Sequence, residues 1–79
     1  MRLNVRYFAK LKEEAGAAQE SWETSATTVA GLWSELAAHH RFSLDARLIR
    51  AAQNDEFCDW EAPLTPGGTI VFMPPVAGG

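Results

Sequence analysis

The residues best suited to chemistry stand at the C-terminal end, Phe72-Met73-Pro74-Pro75-Val76-Ala77-Gly78-Gly79. Pro74 and Pro75 each fix φ at about −65° and lack an N–H, so they end strand pairing and project the last four residues on a stiff extended stem. Gly78 and Gly79 carry no Cβ, and such an end fits a narrow cleft. An α-carboxyl has an ordinary pKa of about 3.5 and is ionised at neutral pH. Given a partner enzyme that binds ATP, the Gly79 carboxylate can attack the α-phosphate and become an acyl-adenylate, an activated carbonyl. Sulfur delivered to that carbonyl leaves a thiocarboxylate, a far better nucleophile than the parent carboxylate and one that can be regenerated after use. A Gly-Gly end alone is also what a frayed terminus looks like. The Pro-Pro stem and the apolar strand before it are what give it weight.

The side chains offer less. Cys58 has no His or basic neighbour in sequence and lies in an acidic stretch, which raises a thiol pKa and favours a structural reading. His39 and His40 are adjacent on a helix and point about 100° apart, with no ligand at metal spacing, so helix capping and solvent exposure are expected there and no metal site. Glu13-Glu14 and Asp55-Glu56 fall in polar segments and read as solvated surface. Trp22, Trp33 and Trp60 read as packing residues, and Gly67-Gly68 precedes a strand without the Lys-Ser/Thr of a phosphate loop. No catalytic constellation emerges within the chain, so the catalytic pocket is expected on a partner.

The elements that must present the tail emerge from periodicity. Arg2, Asn4 and Arg6 alternate with Leu3, Val5 and Tyr7, a strand with one buried face, and Phe8 falls on the outer side of that alternation at the strand's end. Ala9 to Ala15 is rich in helix formers and is stopped by Gly16. Gln19 to Thr24 alternates again around Trp22. Val29, Leu32, Trp33, Leu36 and Ala37 make the apolar stripe of the main helix, with Thr27 or Thr28 as its N-cap. Leu48 to Gln53 is a third strand, Asn54-Asp55-Glu56 a polar turn, Phe57-Cys58 a short extended piece, and Thr69 to Met73 a last apolar strand.

That order predicts an α+β fold with a mixed sheet of about five strands and one main helix packed on one face. Placing the first and last strands side by side and parallel completes one core, which is the β-grasp (ubiquitin-like) layout. A ferredoxin-like fold usually needs two long helices, and the chain offers one. The expected organisation is a single β-grasp domain over residues 1–74 and an extended flexible tail over 75–79.

Composition narrows the partners. Seventy-nine residues bury one core. Ten acidic against seven basic residues give a net charge of −3, which argues against a nucleic-acid surface. Met1-Arg2 runs straight into strand residues without a signal-peptide core, and no apolar run reaches the ~20 residues of a membrane span. One cysteine precludes an internal disulfide and fits a reducing compartment, so a cytoplasmic location is expected.

The end Phe72-x-Pro-Pro-Val-x-Gly-Gly79, the opening Val5-Arg6-Tyr7-Phe8-Ala9 and the Pro63-Leu64…Gly67 turn resemble the small subunit of molybdopterin synthase, the molybdenum-cofactor sulfur carrier. The likeness runs through the whole chain in order. It implies that an E1-like adenylyltransferase uses ATP to adenylate Gly79 and that a sulfurtransferase supplies the sulfur of a C-terminal thiocarboxylate. The tail Val76-Ala77-Gly78-Gly79 would then enter the active site of the large subunit, within a heterotetramer, and give its sulfur to cyclic pyranopterin monophosphate. The carrier itself would bind no cofactor, the nucleotide belonging to the activation step. Phe8, Phe57 and Met73, with Pro74 and Pro75, match positions at which the family meets its partners. Gln53 departs from the pattern, because the family often has an apolar residue there. Two other carriers of a Gly-Gly end remain alternatives: the thiazole-forming sulfur carrier of thiamine synthesis, and a ubiquitin-like protein modifier.

Overall fold

The computed structural model describes residues 1–75. β1 (Arg2–Tyr7) pairs antiparallel with β2 (Gln19–Glu23), and the short helix α1 (Ala9–Ala15) sits between them in sequence. Gly16 ends α1 at φ 80°, a left-handed cap that costs glycine nothing, and its N–H donates to the Lys12 carbonyl. Leu11, fully buried, ties α1 to the core.

The main helix α2 (Val29–His40) starts where Thr28 Oγ1 accepts from the Gly31 N–H, which selects Thr28 of the two expected caps. Of the five stripe residues, Val29, Leu32, Trp33 and Leu36 are buried against the sheet and Ala37 is half-buried. Its C-terminal end differs from expectation. Arg41, in the left-handed region at φ 57°, is the cap, its N–H donating to the Ala37 carbonyl. His39 is exposed, as expected, but His40 is half-buried and bonded to another element.

β3 is shorter than the alternation suggested. Its expected first residue, Leu48, closes instead a 3-10 turn, Ala46–Leu48, because Asp45 accepts from the Arg47 N–H and draws the chain into a tight turn. β3 proper is Arg50–Gln53, joined to β4 (Glu56–Cys58) by a two-residue hairpin. Asn54 and Asp55 both take positive φ there, 51° and 73°, the geometry that matches the twist of an antiparallel pair.

β5 (Thr69–Met73) lies between β1, parallel to it, and β3, antiparallel, giving the sheet order β2-β1-β5-β3-β4. The last strand in sequence is therefore the central one. On one face Leu3, Val5, Tyr7, Ile70, Phe72 and Ala51 pack under α2, and among the described residues the other face carries no α-helix. This is the expected α+β, ubiquitin-like β-grasp arrangement of five strands, with α1 as a minor second helix. Gln53 does not disturb it: its amide donates to the Pro63 carbonyl (3.0 Å) and accepts from the Thr65 N–H (2.8 Å), clamping the loop that leads to β5.

Candidate functional site

The helix-free face of the sheet is read from its register. Val71 of β5 sits between Arg6 of β1 and Ala52 of β3, and Ala52 lies opposite Phe57 of β4. Further along β5, Met73 lies opposite Arg50. All these side chains point away from the core, because their neighbours Tyr7, Phe72 and Ala51 point into it. Phe8 continues the alternation beyond Tyr7 with an extended backbone, φ −127° and ψ 153°, so it reaches the same face at the same end as Met73.

Phe57 is 65% exposed and Phe8 45% exposed, unusual values for large aromatic rings. Phe57, Met73, Pro74 and Pro75 join Arg47, Leu48 and Arg50 around a groove of about 500 Å³. Four of the five interface residues expected from sequence thus share one groove, and Phe8 lies outside its lining, on the far side of β5. Leu48, half-exposed, is a lining residue the alternation missed by placing it inside β3; the Asp45 cap is the signal that turns it outward. Val76, Ala77, Gly78 and Gly79 lie outside the described residues. The chain enters that segment from the central strand, at the mouth of the groove.

Two arginines dominate the electrostatics here. The Arg50 guanidinium lies 4.6 Å from the Phe57 ring centroid and that of Arg6 5.8 Å from the Phe8 centroid, both within cation–π range. Arg47, by contrast, is held by Asp45 at 3.2 Å, and Arg2 by Glu23 at 3.4 Å. Bonding to Arg47 keeps the Asp45 carboxyl below the usual carboxylate range.

Behind the sheet is a polar cluster that sequence reasoning did not find. Glu20 Oε2 accepts from the Tyr7 hydroxyl and lies 2.6 Å from His40 Nε2, joining β1, β2 and α2. Burial, and then the Glu20 carboxylate, push the Tyr7 hydroxyl far above its ordinary pKa. Nearby, Glu35 accepts from Trp22 Nε1 (3.1 Å) and Thr24 Oγ1 (2.7 Å). The clue was available: Glu20 pairs with Val5 and so falls in the inward row of β2. The cluster binds helix to hairpin.

Cys58 is half-buried, its Sγ 3.7 Å from the Ala51 carbonyl, and burial followed by Asp59 pushes its thiol up, away from reactivity. Among the described residues no group of three or more His, Cys, Asp or Glu could hold a metal, and no helix is long and apolar enough to cross a membrane.

Known proteins with this arrangement are consistent in kind. The molybdopterin synthase sulfur carrier subunit of Escherichia coli (strain K12) is 33% identical over 81 aligned residues, spanning 98% of this chain and 99% of that protein. Subunit 1 in the complex of subunits 1 and 2 of the molybdopterin-converting factor from Helicobacter pylori 26695 is 29% identical, with a TM-score of 0.68 and complete coverage of both chains. SAMP1 from Haloferax volcanii superposes with a TM-score of 0.82 over the whole of both chains at 23% identity, a likeness of fold. The family model described as the ThiS family matches residues 5–79, from the middle of β1 through the Gly-Gly end. The chain therefore belongs to the ThiS family and resembles the sulfur carrier subunits of molybdopterin synthase.

Proposed function

We propose that this chain is the sulfur-carrying small subunit of a molybdopterin synthase, with the Gly79 carboxylate as its working group. The observation that carries the proposal is the exit of the chain: central strand β5 ends at Met73 and passes through Pro74 and Pro75 beside an exposed apolar groove. A stem that leaves from a five-stranded platform starts at a fixed place relative to a docking face. The 33% identity to the Escherichia coli carrier and the Helicobacter pylori complex support the choice of pathway and of a large-subunit partner.

In the proposed sequence, an oxygen of the Gly79 carboxylate attacks the α-phosphorus of ATP in an E1-like adenylyltransferase and pyrophosphate leaves. The terminal sulfur of a sulfurtransferase persulfide then displaces AMP at the carbonyl carbon to give an acyl disulfide, and a thiol cleaves its S–S bond, leaving the thiocarboxylate and a disulfide between the two thiol sulfurs. Val76 to Gly79 enter the large subunit, where the sulfur is given to cyclic pyranopterin monophosphate and the tail returns as a carboxylate. Gly78, lacking a Cβ, lets the chain lie in a tunnel too narrow for a side chain. Phe8, Phe57, Met73, Pro74 and Pro75 hold the carrier body against the partner while this happens.

The direct test is to incubate the full chain with its activating enzyme, ATP and a sulfur source and weigh it intact. The expected product carries sulfur in place of one C-terminal oxygen. An unchanged mass sinks the proposal, and isopeptide-linked conjugates in place of thiocarboxylate would move the chain to the protein modifiers. Rescue of a strain lacking molybdoenzyme activity, and not of a thiamine auxotroph, separates it from the thiazole carriers.

A further inference from the structure

The docking face is not purely apolar. Arg6 and Arg50 stand on it on either side of β5, at register positions next to Val71 and Met73, and each is stacked on one of the two exposed aromatic rings. Among the described residues neither has a carboxylate within ion-pair distance, whereas Arg2 and Arg47 do. These are unpaired cations held in place on a protein whose net charge is −3.

This placement constrains what can cover the face. An apolar surface laid over Phe57, Met73 and Phe8 removes water from both guanidinium groups, and a buried charge left without a partner is strongly unfavourable. Stacking on an aromatic ring offsets part of that loss, and a carboxylate opposite each arginine offsets the rest. A nucleic acid fits poorly, because it would bring many phosphates towards an acidic body and gain two cations. A protein surface with an apolar centre and a few carboxylates fits both features.

Resting on the functional reading above, we infer that the large subunit presents Asp or Glu side chains opposite Arg6 and Arg50, beside the opening that takes the tail. The two pairs set orientation and speed encounter, and the apolar centre holds the complex once formed. Because they flank the strand that leads into Pro74-Pro75, they fix the direction in which the tail points on arrival.

The experiment measures association of the full chain with its cognate large subunit by stopped flow at increasing ionic strength. Wild type is compared with Arg6→Gln, Arg50→Gln, the double variant and Arg2→Gln. Arg2 lies on the same face but is already paired with Glu23, so it controls for net charge. All three positions are exposed, and circular dichroism checks that the variants fold. The expected result is an association rate that falls with salt, a loss of roughly tenfold at low salt in the double variant with a flatter salt slope, and little change in Arg2→Gln. A salt-independent rate in wild type, or equal effects of Arg2→Gln and the double variant, overturns the inference and leaves the functional reading standing. Failure to form any complex at any salt overturns both.

Discussion

At Tyr7 a single hydroxyl ties three elements together, because the Glu20 carboxylate it donates to also meets His40. Tyr7→Phe keeps the packed ring and removes the donor, and the expected cost is about 1 kcal/mol in chemical denaturation. The direction of the pKa shift sets the pH dependence. The folded state holds the Tyr7 proton more tightly than the unfolded chain does, so its contribution is complete below pH ~10 and declines as pH rises above that. Stability measured above pH ~10 should therefore fall more steeply in wild type than in Tyr7→Phe; parallel curves would remove Tyr7 as the cause. The acid side has the opposite sign. Ser43 donates twice to Glu14 and Arg47 donates to Asp45, holding both carboxyls below their ordinary range, so their small contributions are present at neutral pH and fade as the solution is acidified.

At the scale of elements, two caps give opposite expectations. Thr28→Ala removes the acceptor for the Gly31 N–H and should cost about 1 kcal/mol. Arg41→Gly places glycine at φ 57° and should raise stability by roughly 0.5–1 kcal/mol, read as a higher thermal midpoint. The strands and α2 were legible because apolar spacing reports one buried face, which is why Val29, Leu32, Trp33 and Leu36 emerged together. The start of β3 was not, because one Asp45 hydrogen bond outweighs the weak strand preference of Arg-Leu-Ile. The burial of His40 was hidden for a related reason: its partner lies 20 residues away, and local sequence carries no record of that approach. Gln53 looked out of place in an apolar register, yet it satisfies two backbone groups of the loop before β5. Gln53→Leu should therefore destabilise the fold by about 1–2 kcal/mol even though it restores an apolar residue.

The whole molecule separates fold from reagent. Its core lies between α2 and one face of the sheet, and the opposite face carries the groove that the proposed function gives to a partner. The exposed patch was half legible: Phe8 stood out from the alternation and the resemblance added Phe57 and Met73, but the shared groove and the place of Leu48 in it needed the order of strands. Deleting Gly79 is expected to abolish thiocarboxylate formation and leave the unfolding midpoint unchanged, because among the described residues the last strand ends at Met73 and the last buried core residue is Phe72. Met73→Arg should weaken large-subunit binding at least tenfold by calorimetry while the fold persists, since it sets a third cation against a desolvated contact.

The parallel pairing of β1 with β5 also governs how the protein is born. A chain emerging from the ribosome has its first strand long before its last, and β1 and β3 have no shared neighbour until Thr69–Met73 appears between them. Native pairing across the middle of the sheet therefore waits until the last strand is made, a closure of high contact order. Thr69–Met73 completes the sheet of the described residues, and Pro74 and Pro75 follow it directly. A message truncated before Thr69 yields a chain lacking the central strand together with the end to which the proposed function gives the sulfur.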